Sequence, residues 1–241
     1  MSLGGENDPA AAHSILQAVA EQLKVPLTVI ARQAELSQLA GATETLHTND
    51  VHVQAVAALQ LVDSYLLGLQ LAREQTALEL EPVSVSALLT DTAHSIAQFA
   101  AQYEVDVQVH IAGKYEPVMA HARGLRAALL SLSFAVAEAM AARQATSRRE
   151  LMLAVHRTPH GIVTGLYGAN QLLEAGQWRT ALKLCGRAFQ PFTGLAAGSG
   201  AGLFVADAIL QSMNTRLRVG HFEHHTGLAA TFQPSRQLQF V

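Results

Sequence analysis

The sequence predicts an α+β fold, in which an N-terminal helical hairpin precedes a mixed sheet covered by helices. Apolar residues recur at three- and four-residue spacing up to about residue 79, which is typical of helices that bury one face. Strictly alternating segments and apolar helical segments interleave after that point, which indicates strands and helices in one α/β sandwich. Pro82 marks the boundary, because the residue before a proline is disfavoured in a helix. The predicted parts are residues 1–8, either disordered or left over from cloning, 9–81 and 82–241.

Composition limits the classes of function. Half of the 241 residues are apolar and 15% are charged, which is enough for a substantial core. The net charge of −3 argues against nucleic-acid binding. A single cysteine, Cys185, excludes an internal disulfide and fits a reducing compartment, so we expect a cytoplasmic protein. No apolar run reaches about 18 residues, and the N-terminus lacks the features of a signal peptide, so no membrane span is expected.

The first part is predicted to be two long antiparallel helices, over residues 9–42 and 50–79. Asp8-Pro9 suits the start of the first helix, and Pro26 should bend it. Residues 41–50 are predicted to form the connecting loop. The second helix is expected to bury the stripe Val53, Val56, Leu59, Val62, Leu66, Leu69 and possibly Arg73. A second copy would cover both helices in a four-helix bundle; the alternative is that the stripe packs only on the downstream domain.

The second part is predicted from its alternating and helical segments in chain order. Residues 84–102, 122–142 and 200–213 indicate helices, and residues 171–188 indicate one or two more. The predicted strands are residues 105–111, 118–120, 151–155, 161–166, 217–222 and 228–232.

Three features resemble sensor histidine kinases. Residues 20–27, Ala-Glu-Gln-Leu-Lys-Val-Pro-Leu, resemble their H box, Ser-His-Glu-Leu-Arg-Thr-Pro-Leu. Residues 61–89 resemble the family's passage from the second dimerisation helix into the ATPase domain. The element order resembles the ATPase domain that histidine kinases share with gyrase and Hsp90. The resemblance covers residues 10–235 and implies that 9–81 is a dimerisation hairpin and 82–241 a degenerate ATPase-like domain.

The resemblance also implies that the phosphoryl chemistry of the H box is lost. Glu21 stands at the position of the phosphorylated histidine, and Gln22 replaces the acid that follows it. Val25 stands where the family has the residue that positions water for phosphatase activity. Glu21 is either a fixed mimic of the phosphohistidine charge or a solvated glutamate. The same surface is where the family docks receiver domains, with candidates Gln22, Lys24, Val25 and Thr28 here.

In the helix that resembles the N box, the asparagines that hold Mg²⁺ are replaced by Ser131 and Ala135. An alanine offers no oxygen ligand, and Mg²⁺ requires oxygen ligands. Glu138 stands where the family has a lysine and is a weak candidate for a substitute carboxylate.

The first glycine-rich box is altered at the residue that recognises adenine. With Gly168 aligned on the first glycine, Leu166 falls at the adenine-binding aspartate and Asn170 at the second glycine. Leucine has no acceptor for the adenine amino group, so we expect apolar side chains to fill this pocket.

The F box and the second glycine-rich box are kept in outline. Residues 187–192 resemble Arg-x-Phe-Glu-Pro-Phe, and Gly198, Gly200 and Gly202 resemble the glycines at a helix start. Such a loop favours phosphate, so weak residual ATP or anion binding stays open. The lid between the boxes is reduced to residues 193–197. A separate cluster, His221, Glu223 and His225, is either a metal site or a set of solvated turn residues.

These features predict a catalytically inactive, dimeric histidine-kinase-like protein of two-component signalling. It is expected to bind a receiver domain or an active kinase, and no cofactor is expected. Two alternatives stay open: an ATP-dependent kinase with displaced catalytic groups, and a sensor that binds another small ligand in the former nucleotide pocket. The pathway, the input signal, and whether sensor domains precede this chain do not follow from the sequence.

Overall fold

The computed structural model describes residues 27–32, 45–74, 77–101, 103–141, 149–169 and 199–235. Residues 27–32 are helical. The longer helices in these ranges are α1 (Thr45–Glu74), α2 (Val85–Ala101), α3 (Ala122–Ala141) and α4 (Ser199–Ser212). The strands are β1 (Glu81–Val83), β2 (Val105–Ile111), β3 (Val118–Ala120), β4 (Arg149–Thr158), β5 (Gly161–Ala169), β6 (Arg218–Phe222) and β7 (His225–Phe232).

Five strands form the main sheet in the order β2-β4-β5-β7-β6. β2 runs parallel to β4, and the other neighbours are antiparallel. β1 and β3 pair antiparallel in a small second sheet, which one bridge between Val118 and Pro234 links to the chain after β7. The predicted mixed α+β architecture is therefore confirmed for the described residues.

One face of the main sheet, called here the inner face, packs against the helices. Alternate residues of β4 and β5, such as Leu153 and Leu166, meet Phe99 of α2 and Phe134 of α3 in one buried cluster. The Phe99 and Phe134 rings lie edge to face with centroids 4.4 Å apart, a favourable arrangement for aromatic pairs. α3 is apolar on almost every side, as expected for a helix enclosed by neighbours on all sides.

Helix α1 packs on α3 and α4 through a face of mostly small residues, so the alternative in which the predicted stripe packs on the downstream domain is wrong. Val56, Leu59 and Leu66 are 37%, 63% and 62% exposed. A β-carbon at Gly68 would lie 2.7 Å from Cγ1 of Val205, so the two helices approach closely only because this residue is glycine. Small side chains allow that approach, whereas the large stripe would hold the helices apart. The buried face consists of Ala57, Ala58, Leu61, Ser64, Tyr65, Gly68 and Leu71.

Several predicted boundaries need correction. α1 begins at Thr45 and ends at Glu74, so it covers the second half of the predicted 41–50 loop and stops short of residue 79. Weak helix formers such as Thr, Asn and Asp lower helix propensity by only tenths of a kcal/mol, and tertiary packing overrides that. β1 was not predicted, since three residues carry no periodicity of their own. β4, β5 and β7 are longer than predicted, while the bounds of β2 and β3 agree.

The opposite, outer face of the sheet is partly covered by its own edge. β2 and β6 are the two edge strands, and four strand spacings would separate them by about 19 Å in a flat sheet. Yet the rings of His110 on β2 and Phe222 on β6 have centroids 4.9 Å apart. The end of the β6–β7 hairpin therefore bends across the outer face and buries Tyr167 beneath Phe222, with centroids 5.6 Å apart.

Candidate functional site: a filled pocket between two helices and the sheet

Three elements carry the residues that the sequence resemblance assigns to a nucleotide site. α3 carries Ser131 and Ala135, β5 carries Leu166 and Gly168, and α4 carries Gly202. Ser131 and Ala135 are both 0% exposed.

The first turn of α4 lies directly on α3. A β-carbon at Gly202 would lie 2.6 Å from the carbonyl oxygen of Ser131 and 2.9 Å from the Cβ of Ala135. Both distances are shorter than real β-carbon contacts, so the backbone of α4 touches α3 at the two positions where the resemblance places magnesium ligands. No space for an ion and its ligands lies between Gly202 and Ala135.

The adenine-binding position is also occupied by apolar groups. Leu166 is 1% exposed and belongs to the main buried cluster. The methyl group of Met140 lies against the Cα of Gly168, where any β-carbon would collide with it. Met140 comes from the last turn of α3 and is itself fully buried. It was not predicted as part of the pocket, and its position in the sequence five residues after Ala135 is the signal that could have placed it there.

Three hydroxyl groups are buried in this region without a partner among the described residues: those of Ser131, Ser133 and Thr164. A buried hydroxyl normally has a hydrogen-bond partner. The cavity closest to them lies between α3, the C-terminal half of α4 and the sheet, is lined by Thr164, and has a volume of about 10 Å³. That volume holds one water molecule at most.

The structure describes only part of the predicted site. Thr28 is exposed on the helical segment 27–32, with Leu27 beside it. Gly200 lies in the first turn of α4, and Glu138 lies in α3. The remaining predicted positions are outside the described residues: Glu21, Gln22, Lys24, Val25, Asn170, Gly198, the F box and the lid. Their roles stay predictions.

On the outer face, three rings form a compact cluster at its centre. The ring of His156 lies 5.1 Å from that of Phe222 and 6.3 Å from that of Tyr167. Burial lowers the pKa of His156 and raises that of the Tyr167 phenol, because each charged form would lose its hydration. The Tyr167 hydroxyl and Nδ1 of His156 have no hydrogen-bond partner among the described residues. Neither side chain was predicted to be part of a site, because each stands alone in the alternating sequence of a strand.

The histidine cluster at the β6–β7 turn does not assemble a metal site. Glu223 sits in the turn with φ 53°, which breaks the alternation that would have put His221, Glu223 and His225 on one face. Nδ1 of His221 lies 3.1 Å from Oγ1 of Thr226, and Oε1 of Glu223 lies 3.9 Å from Nε2 of His110. Within the described ranges no group of three side chains is arranged to hold a metal ion.

Helices α1 to α4 and the segment 27–32 are the helical parts of the described chain. None of these described helices is both long and apolar enough to span a membrane.

Neither a family model nor a curated protein matches this sequence. Solved structures do match it. Full-length ShkA in complex with AMPPNP is 14% identical, with 91% of this chain and 46% of that chain covered and a TM-score of 0.53. The Acinetobacter baumannii histidine kinase AdeS is 15% identical, with 88% and 96% covered and a TM-score of 0.46. Histidine kinase ThkA in complex with the response regulator protein TrrA is 11% identical, with 89% and 60% covered and a TM-score of 0.49.

Sequence identities this low show a similarity of fold alone. Of these three matches, the one to ShkA has a TM-score above 0.5. The fold of this chain is similar to that of ShkA. This chain spans just under half of ShkA.

Proposed function

We propose that this protein is a catalytically inactive, histidine-kinase-like module of two-component signalling that acts as a dimer through protein contacts. The observation that carries the proposal is the contact between Gly202 and Ala135, which leaves no room for a metal-bound triphosphate between α4 and α3. Leu166 and Met140 support it, because they fill the position at which an adenine ring would be recognised.

The alternative of an ATP-dependent kinase requires the helices to separate. Ser131, Ala135 and Leu166 are each at most 1% exposed, so nucleotide entry would have to open the main core. The alternative of a small-ligand sensor requires a cavity at the same place, where Gly202 lies against Ala135 and Met140 lies against Gly168. Neither alternative is favoured by a contact in the described part of the chain.

Direct titration tests catalytic inactivity. We expect calorimetry with Mg²⁺-ATP to show no binding heat at tens of micromolar protein, and labelled ATP to leave no acid-labile phosphoryl group on the chain. A catalytically active histidine kinase domain run in parallel is the positive control. ATP affinity together with transferred label would overturn the proposal. ATP affinity without transfer would support a nucleotide-binding role for the glycine-rich loop and reject the filled pocket.

Dimerisation through residues 9–81 is proposed from the second apolar face of α1. Leu59 and Leu66 are 63% and 62% exposed, one helix face away from the small-residue face that already packs on α4. A helix that is apolar on more than one side is normally covered on each of them. A second copy of the hairpin would cover this face in a four-helix bundle.

Light scattering with matched variants tests the dimer. The doubly substituted Leu59→Glu, Leu66→Glu chain should run as a monomer, because it places two carboxylates in the interface. The double substitution Ala87→Glu, Ala97→Glu introduces the same two carboxylates at exposed positions of α2, outside the hairpin, and should stay dimeric. A monomeric wild-type chain would reject this arrangement.

The proposed partner is a receiver domain or an active histidine kinase, docked at Gln22, Lys24, Val25 and Thr28. Of these four residues Thr28 is the one that the structure describes, and it is exposed. A panel of purified receiver domains should contain one that the wild-type protein retains on a column and that Lys24→Glu does not. Arg123→Glu, an exposed basic residue on α3, is the matched control for charge reversal. Capture of no receiver and no kinase would reject the adaptor role and leave the fold assignment intact.

A further inference from the structure

A second concave surface lies away from the filled pocket, on the outer face of the sheet. It is a groove with a volume of about 590 Å³, within the usual range for small-molecule sites. The groove lies at the end of the outer face away from the Tyr167 and Phe222 rings. It is lined by Thr158, His160, Val163, Asn214, Thr215, Arg216, Arg218, Thr231 and Gln233.

Strand register explains why these residues face one groove. Val163 pairs with Thr231, and Arg218 pairs with Ala229, two residues before Thr231. Side chains two residues apart on a strand point to the same face, so Arg218, opposite Ala229, projects on the same outer face as Thr231. Arg216, in the loop just before β6, lines the same groove. The groove thus has an apolar floor at Val163 and two guanidinium groups along one wall.

Two hydrogen bonds hold the loops that border the groove. The Gln233 side-chain amide donates to the carbonyl oxygen of His160 at 3.3 Å, which ties the β4–β5 turn to the end of β7. The Thr215 hydroxyl donates to the carbonyl oxygen of Thr231 at 2.9 Å, which ties the α4–β6 loop to the same strand. Both walls are therefore anchored on β7, and a ligand would meet a largely formed site.

The charge of the groove is unusual for this chain. Among the described residues no acidic side chain lines it, although the chain carries a net charge of −3. Within the described ranges neither Arg216 nor Arg218 has an ion-pair partner, whereas Arg149 and Arg157 pair with Glu104 and Glu116. The nearest acid along the chain is Glu223, whose Oε1 lies 3.9 Å from Nε2 of His110. The next, Asp207, accepts hydrogen bonds from the Leu217 backbone amide and the Gln211 side chain.

We propose that this groove binds a small organic oxyanion, a phosphate monoester or a polycarboxylate, through Arg216 and Arg218. A guanidinium group presents paired N–H donors that match both kinds of oxyanion. The hydroxyl of Thr158 and the side chains of His160 and Asn214 add polar groups around it, and Val163 provides a surface for the carbon skeleton. The site is independent of the nucleotide-pocket residues and of the proposed docking surface.

Calorimetry on the full chain with two probes tests the site and separates the two ligand classes. Glycerol 2-phosphate represents phosphate monoesters and citrate represents polycarboxylates, with glycerol and sodium chloride at matched ionic strength as blanks. We expect at least one probe to bind and to raise the midpoint of thermal unfolding. The double substitution Arg216→Gln, Arg218→Gln should weaken that binding about tenfold or more, as the loss of charge-assisted hydrogen bonds predicts.

Arg123→Gln is the matched control, since Arg123 is exposed on α3 and does not line the groove. Its affinity for the probe should equal that of the wild type. Both variants should unfold at the wild-type temperature without ligand, because the substituted side chains are exposed. The proposal is overturned if neither probe exceeds the blanks. It is equally overturned if binding survives in the double variant, which would assign the anion to the glycine-rich loop at the start of α4.

Discussion

The two faces of the main sheet are built in different ways. The inner face is covered by α2 and α3 with side chains that are almost all fully buried, and it includes the positions of a nucleotide site. The outer face has a small cluster around Tyr167 and Phe222 at its centre and an open, basic groove at one end. The face expected to bind a ligand is thus closed by packing where it is described, while the face usually left to solvent has an open groove of about 590 Å³.

Removing one aromatic ring from each face should show the difference in packing most strongly. Phe134→Ala should lower the free energy of unfolding by about 3–5 kcal/mol, the usual cost for a ring enclosed on all sides. Phe222→Ala should cost about 2 kcal/mol, because Phe222 is 8% exposed and water can enter the space it leaves. Urea unfolding of both variants measures the pair. Equal losses of unfolding free energy would mean that the outer cluster contributes as much to stability as the main core.

The close contact of α4 with α3 should make Gly202 intolerant of any side chain. Gly202→Ala is expected to cost about 2 kcal/mol or more, since the added methyl group meets backbone atoms of α3 that cannot move aside. Gly220→Ala on the outer face is the matched control. Its β-carbon would lie 3.3 Å from Ala229 and 3.6 Å from Tyr167, so its cost should be below about 1 kcal/mol. A neutral Gly202→Ala would show that the helices leave more room for a ligand than the contact indicates.

The outer cluster should make stability depend on pH through His156. Burial holds the pKa of His156 below its usual value, so the unfolded chain takes up a proton more readily than the folded chain. Stability from this group is complete above the unfolded pKa and is lost as pH falls below it. The slope should be well under the one-proton limit of about 1.4 kcal/mol per pH unit, since the ring is only partly buried.

Unfolding of wild type and His156→Gln between pH 7.5 and 5 measures that slope. The variant should lose the His156 contribution and change less with pH. An unchanged slope would assign the pH dependence to other titratable groups.

The smallest change in stability is expected for a substitution on the inner face. Thr164→Val removes a buried hydroxyl that has no hydrogen-bond partner among the described residues and keeps the shape of the side chain. Stability should stay equal or rise by up to about 1 kcal/mol, because the unpaired group no longer has to be desolvated. Thermal unfolding measures this change. A loss of more than that would mean that the hydroxyl bonds to a buried water or to a part of the chain that the structure does not describe.

Periodicity predicted the α/β part of this fold well. The strict alternation of residues 105–111 and the short apolar run at 118–120 gave strands with the same bounds as β2 and β3. The helix at 122–142 differs from α3 by one residue. Such segments are predictable because one face or one stripe of each must be buried wherever it packs.

Periodicity did not identify the face of α1 that packs within the chain. It chose the large aliphatic residues as the buried stripe, whereas Ala57, Leu61 and Gly68 pack on the neighbouring helices. Hydrophobicity alone could not choose between two apolar faces of one helix, because the choice depends on the shape of the surface that α4 presents. The filled pocket shows the same limit: the losses at Ala135 and Leu166 are visible in the sequence, but their closure by Gly202 and Met140 is a contact between distant segments.

The sequence by itself determined the order and type of most of the described elements, since these depend on residue identity and local spacing. Only the tertiary structure decided what surrounds Ala135 and Leu166 and where Arg216 and Arg218 lie. Close approach of α3 and α4, and the register that places Arg218 on the same face as Thr231, arise from packing between residues far apart in the chain. The pattern within a single segment does not predict such contacts, because their free energy depends on surfaces that form only when distant segments pack together.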